Sequence, residues 1–187
     1  PSPFVVRWLP RVLDLGPAAT AIDLAMGRGR HAILLARAGL RTFGVDGKLA
    51  AVRDAAAAAR AEGLVVRAWC ADLTCTPLPT ARFDVVLVTR YLQRDLFPAI
   101  RALVTSGGFV LYETFTTKQP RLGFGPTSPA HLLGPGELAS VLKDQGTGRG
   151  SGVSMQTPER SPGRSGPAGG LVQSLGARLF VWLFGVT

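Results

Sequence analysis

For its first 143 residues the chain alternates short apolar runs with alanine-rich stretches. An apolar run from Ala21 ends at Asp23-Leu24 and gives way to a glycine turn, Gly27-Arg28-Gly29. Ala32–Ala38 then has the composition of a helix. Arg41–Asp46 and Val65–Cys70 read as strands flanking a helix at 48–61, which carries five consecutive alanines from Ala55 to Ala59. Phe83–Thr89 is almost continuously apolar, the pattern of a parallel strand buried on both faces. A helix at 95–105 groups Leu96, Ile100, Leu103 and Val104, and Ser106-Gly107-Gly108 is expected to end it. Phe109–Phe115 is the fifth strand. This alternation predicts an α/β domain with a doubly wound, mostly parallel sheet.

The pattern then breaks. Residues 116–137 are expected to be a long loop, a length that is usually functional or disordered. Leu138–Lys143 starts a helix, but from Asp144 to Gly170 the chain is Gly, Ser, Pro, Arg and Thr with almost no large apolar residue. Such a segment buries too little surface to offset its ordering entropy. Leu171–Thr187 is apolar again, without the look of a strand hairpin. The expected division is a domain over 1–143 and an atypical tail over 144–187 with a short apolar end. The composition break reads as a shifted reading frame, an alternative transcript or a truncation.

The chemistry gathers where strands are expected to end. Glycines at 27 and 29 leave room for a ligand to approach the backbone, and the helix start beyond offers free N–H groups. A dinucleotide turn of the Gly-x-Gly-x-x-Gly/Ala type fits here, because Ala32 satisfies its third position. Asp23 argues the other way. A carboxylate repels a pyrophosphate and favours a sulfonium and an amino group. Asp46, 23 residues further on, ends the second strand, where an acid can accept from ribose hydroxyls. A solvated loop aspartate is the plainer reading of Asp46, and the spacing favours the ribose. Asp72 follows the third strand, and a turn or capping role is its plain alternative.

The order Asp23-x-Ala25-x-Gly27-x-Gly29 resembles motif I of the class I S-adenosylmethionine-dependent methyltransferases. Gly27-Arg-Gly-Arg-His31, Tyr112-Glu-Thr-Phe-Thr116 and the Pro-Thr-Ser-Pro-Ala-His-Leu-Leu-Gly-Pro-Gly-Glu-Leu stretch at 126–138 resemble the tellurite-resistance-type small-molecule members. The resemblance implies a Rossmann-like fold, S-adenosyl-L-methionine as cofactor, and methyl transfer to a small molecule or oxyanion. It implies cofactor contacts from Asp23, Ala25, Gly27, Gly29, Asp46, Asp72, Leu73 and Thr89, with Asp72 at the adenine amino group and the Leu73 backbone nearby. Tyr91, Glu113 and His131 are the candidate acceptor-side or catalytic residues, and no metal is implied. His31 is read as a packing or loop residue. Phe4 and Trp8 either cap the acceptor pocket or belong to the core. The family continues with a sixth strand and an antiparallel seventh, neither evident here, so the sheet is expected to be incomplete at its C-terminal side and the activity of this chain weak. An NAD-type oxidoreductase and a non-catalytic cofactor-binding remnant are the alternatives.

Bulk composition narrows the partners. A hydrophobic content of 47% in 187 residues suits one α/β core with a tail. The net charge of +9 would suit nucleic acid, but the basic residues are scattered, nearly all arginine, without interleaved aromatics. A solvated arginine-rich surface and a small-molecule acceptor are therefore expected, with self-association through the apolar end as a further option. No run reaches the roughly 20 apolar residues of a membrane span. Pro1 is no native start, which leaves room for a removed targeting segment. Cys70 and Cys75 have no second pair, so zinc is not expected. They read as reduced, half-buried thiols of a cytoplasmic protein.

Overall fold

A computed structural model describes residues 1–122, 124–142, 155–156, 169–174 and 177–184. Five parallel strands form the body of one sheet: β1 (Thr20–Leu24), β2 (Arg41–Asp46), β3 (Val66–Cys70), β4 (Phe83–Thr89) and β5 (Val104–Phe115). Their order is β3-β2-β1-β4-β5, which reverses direction at β1 and β4. Ligands bind at such a switch point, outside the carboxyl ends of the strands. Helices α1 (Pro3–Leu13), α2 (Arg30–Arg37), α3 (Leu49–Ala61), α4 (Phe97–Leu103) and α5 (Glu137–Leu142) accompany the sheet. The fold is the Rossmann-like one expected for this part of the chain.

The apolar strands are buried on both faces, as their composition requires. On one face Phe4, Val5 and Val12 of α1 and Leu35 of α2 pack with Val85, Leu87, Phe109 and Leu111. On the other, Phe97, Ile100 and Leu103 of α4 pack with Val86, Val88, Val110 and Tyr112. Phe4 is therefore a core residue, and Trp8 is partly buried against the same cluster. The N-terminal helix is absent from the sequence reading. It is set by Ser2, whose side chain accepts from the Val5 N–H, and by Pro3 in the first turn.

Three expectations are corrected here. Gly107 and Gly108 do not cap a helix. The helix ends at Leu103, and β5 already pairs with β4 at Val104 opposite Phe83, so the glycines sit where the register shifts. Asp84 secures this end: it accepts from the Thr20 N–H at 2.8 Å and from the Thr105 hydroxyl at 3.0 Å. Residues 116–137 are not structureless. Leu133 donates to the Phe115 carbonyl, Thr117 donates to the Leu133 carbonyl, and Leu132 and Leu133 are buried. Arg94 fixes the far part, donating to the Ala130 and Leu132 carbonyls and to both carboxylate oxygens of Glu137. The thiols of Cys70 and Cys75 are exposed, not half-buried, because β3 is the sheet edge and Cys75 lies in the turn beyond it.

The sheet also runs on beyond β5, where no further strands were evident in the sequence. β6 (Met155–Gln156), β7 (Gly169–Ser174) and β8 (Ala177–Phe184) continue the order as β5-β8-β7-β6. β8 lies parallel to β5, with Phe109 opposite Arg178 and Phe115 opposite Phe184, and β7 is antiparallel to β8. Backbone pairing satisfies the free edge of β5 whatever the local composition. The expected boundary at 143/144 and most of the Gly/Pro/Ser/Arg-rich stretch lie outside the described residues. Among the described residues no helix is long and apolar enough to cross a membrane, and no cluster of His, Cys, Asp and Glu could hold a metal ion.

Candidate active site

The carboxyl ends of β1, β2 and β3 carry the acids that the sequence singles out, Asp23, Asp46 and Asp72. Asp23 is fully buried one residue before the end of β1, and neither of its carboxylate oxygens has a hydrogen-bond partner. Burial pushes its pKa up to about 8; the Ala32 backbone N–H, near it but outside hydrogen-bond geometry, and the Arg30 charge oppose this only partly. A buried acid without a partner is costly, and it sits at the mouth of the switch point.

The loop after Asp23 is strained and open on its ligand side. Ala25 holds a left-handed backbone, φ +54°, at the motif I position between the acid and the first glycine. Arg90, just past β4, does the same at φ +55°. Such conformations cost about 1–3 kcal/mol and cluster at functional sites. Gly27, at φ +57°, has nothing within 4 Å of where a Cβ would project, so the space beside it is free for a ligand. Gly29 has a different job. A Cβ there would lie 2.7 Å from the Cβ of Ala55, so this glycine lets α2 approach α3.

Asp46 joins the loop to β2. One carboxylate oxygen accepts from the Gly27 N–H at 2.8 Å and the other from the Lys48 N–H at 2.9 Å. Each oxygen keeps a lone pair for a further donor. Asp72 is exposed and accepts from the Thr74 N–H and hydroxyl, which hold its carboxyl below the usual range, and Leu73 beside it is buried. Tyr91, an acceptor-side candidate, lies within electrostatic reach of these acids. Its phenol is raised by burial and then by the nearby charges of Asp72 and Asp46.

A second buried polar group, missed as a group from sequence, lies across β4 and β5. His31 accepts the Ser2 backbone N–H at its Nε2, 2.9 Å, and its Nδ1 lies 3.2 Å from the Thr89 hydroxyl. With Nε2 accepting, the ring proton sits on Nδ1 and points to Thr89. Burial, then the charges of Arg30, the N-terminus and Arg90, lower the pKa of His31 to about 3. His31 is thus a neutral tie between α1, α2 and β4, and no base. Glu113, level with Thr89 on the neighbouring strand, is buried, bonded to the Ser2 side chain, and has one oxygen, Oε2, without a partner. Burial raises its pKa, opposed by Ser2, Arg90 and Arg30. His131 is exposed on a 3-10 turn, Pro129–His131, and no hydrogen bond joins it to this group.

Two of these features fit the cofactor implied by motif I. An orphaned buried carboxylate calls for a cation beside it, and the open flank of Gly27 accommodates a ligand against the loop. A phosphate-bearing ligand would meet the ionised form of this carboxyl as a like charge and keep it protonated.

Comparison with known proteins agrees. Residues 21–108 match the family described as "Methyltransferase domain". None of the curated proteins matches the chain. Among solved structures, the PH0226 protein from Pyrococcus horikoshii is similar over 74% of this chain and 78% of its own, at 18% identity and a TM-score of 0.57. Coclaurine N-methyltransferase, bound to N-methylheliamine and S-adenosylhomocysteine, is similar over 56% of this chain at 18% identity and a TM-score of 0.50. This chain spans only 32% of it. A TehB-like methyltransferase from Corynebacterium glutamicum has 20% identity and a TM-score of 0.44 over 54% of this chain and 58% of its own, a likeness too slight to argue from. The matched segment is similar to a methyltransferase domain, and it holds β1 to β4 of the Rossmann-like sheet described above.

Proposed function

We propose that this chain binds S-adenosyl-L-methionine at the carboxyl ends of β1, β2 and β4 and transfers its methyl group to a small-molecule acceptor, oxyanions included. The observation that carries the reading is Asp23, buried without a partner beside the open flank of Gly27. When bound, the cofactor supplies an electrophilic methyl on a cationic sulfonium. Asp23 stabilises the ligand's positive charge, directly or through one ordered water. Asp46 keeps a lone pair on each oxygen for the ribose hydroxyls, while its bonds to Gly27 and Lys48 hold it still. Asp72, Leu73 and Tyr91 border the adenine side, and Thr89 lies between the cofactor end and Glu113. Methyl transfer of this kind needs orientation and exclusion of water more than strong acid–base chemistry.

Scattered arginines support a small acceptor over nucleic acid, and two free, exposed thiols support a reducing, cytoplasmic setting. The division of the chain near residue 143 is part of the same proposal. The NAD reading is disfavoured because its pyrophosphate would sit beside Asp23. Calorimetric titration with S-adenosylmethionine, S-adenosylhomocysteine and NAD tests the cofactor. Binding of the first two in the micromolar range with none of NAD is expected, and tighter binding of NAD refutes the reading. A methyl-transfer assay over thiols, amines, selenite, tellurite and carboxylic acids tests the reaction.

A further inference from the structure

We propose that Glu113 is the acceptor-binding residue of this site, and that the acceptor is a hydrogen-bond donor, an amine or hydroxyl compound, rather than an oxyanion. The inference rests on the methyltransferase reading and narrows its substrate class.

Three observations converge. First, β4 and β5 are in parallel register, with Thr89 opposite Glu113 and Leu87 opposite Leu111, while Asp23 lies opposite Leu87. Residues in register, and those two apart along a strand, share a face. Asp23 and Glu113 therefore project to the same side of the sheet, with Glu113 one pleat further out toward the carboxyl end. Second, the polar atoms left over on that side are hydrogen-bond acceptors. Glu113 keeps Oε2 free while Ser2 engages its side chain. Gln119, fully buried, spends its amide N–H on the Phe124 carbonyl at 2.8 Å and leaves Oε1 without a partner. Gln119 and Phe115, two residues after Glu113, both border Gly125: a Cβ on Gly125 would lie 3.2 Å from the Phe115 ring and 3.3 Å from Gln119 Cγ. Third, the cations that face Glu113, Arg30 and Arg90, are exposed, so their charge is screened, whereas the carboxylate is not. An oxyanion brought to Glu113 would face a buried like charge. A donor N–H or O–H would satisfy it.

The Ser2 end of α1 is tied to this group by the Ser2 N–H on His31 and the Ser2 side chain on Glu113. In the reaction the lone pair of the acceptor nitrogen or oxygen forms a bond to the methyl carbon. The S–CH3 bond breaks with its electron pair left on sulfur, and Glu113 takes the proton released from the acceptor. Burial, which raises this carboxyl, brings it closer to the range of a useful base at neutral pH.

The test compares the full chain with Glu113→Gln by three measurements: cofactor affinity, methyl transfer to amines and hydroxyl compounds against selenite and tellurite, and melting temperature. The wild type is expected to turn over a donor acceptor. Glu113→Gln is expected to bind S-adenosylmethionine within about twofold of wild type, to lose roughly 10²–10⁴ in rate, and to lose the acid limb of its pH–rate profile. Its melting temperature should be unchanged or raised, because a group kept for a ligand is a burden to the free protein. Turnover of oxyanions alone, wild-type rates in Glu113→Gln, or a fall in its melting temperature would each overturn the proposal. Where no acceptor in the panel reacts, the melting comparison decides alone. Failure of the wild type to bind S-adenosylmethionine overturns the methyltransferase reading itself, a result distinct from normal cofactor binding with an indifferent Glu113.

Discussion

Cofactor binding should release a proton, and Asp23 is the reason. Its folded pKa of about 8 means that the carboxyl is mostly protonated in the free protein at pH 7. A cationic ligand prefers the carboxylate, so binding favours the form that the free protein populates least. For a group at about 8, some 0.9 proton leaves Asp23 at pH 7, and affinity rises about eightfold from pH 6 to 7 and about threefold more from 7 to 8. The ligand's own amino group, titrating near 8, turns the curve over above that point. The sign for stability is opposite. The folded pKa exceeds the unfolded value of about 3.9, so the ligand-free protein gains most from Asp23 at low pH and loses that gain as pH rises toward 8. Calorimetry in two buffers of different ionisation enthalpy reads the proton release directly, and Asp23→Asn should abolish it while stabilising the free protein. Affinity flat from pH 6 to 8 with no buffer dependence, or an Asp23→Asn variant with the wild-type profile, would refute the placement of a cation beside Asp23.

Asp46→Ala should weaken S-adenosylmethionine by about 1.5–3 kcal/mol and also lower stability, since it strands the Gly27 and Lys48 N–H groups; unchanged affinity in a folded variant would remove the ribose role. Gly29→Ala should destabilise the fold by about 2–4 kcal/mol in denaturant melts, combining a left-handed backbone at φ +74° with a 2.7 Å approach to Ala55, and pairing it with Ala55→Gly should recover the packing share. His31 is buried neutral, its folded pKa of about 3 lying below the unfolded 6.5, so it costs stability as pH falls from about 6.5 toward 3; His31→Gln should flatten that limb of a stability–pH curve.

The periodicity of the chain by itself determined the five parallel strands and four of the helices between and after them, because apolar runs and alanine-rich stretches are local signals. It also placed Asp23, Asp46 and Asp72 at strand ends, because a doubly wound sheet leaves those ends on one edge whatever the loops do. Motif I was readable for the same reason: a strand, a glycine turn and a helix are consecutive in sequence. The N-terminal helix escaped because its stretch carries two prolines, Pro3 and Pro10, and the first is a favourable start rather than a break. Only the tertiary structure decided the rest. Gly29 makes room for Ala55 on another helix, Tyr91 lies within electrostatic reach of Asp72 and Asp46, and Arg94 binds Glu137 to hold a loop that its composition marks as irregular. His31 becomes a tie between Ser2 and Thr89, 29 and 58 positions away. Hydrogen bonds and desolvation act through space, and the spacing of residues along the chain carries no record of which distant partner will be buried beside them.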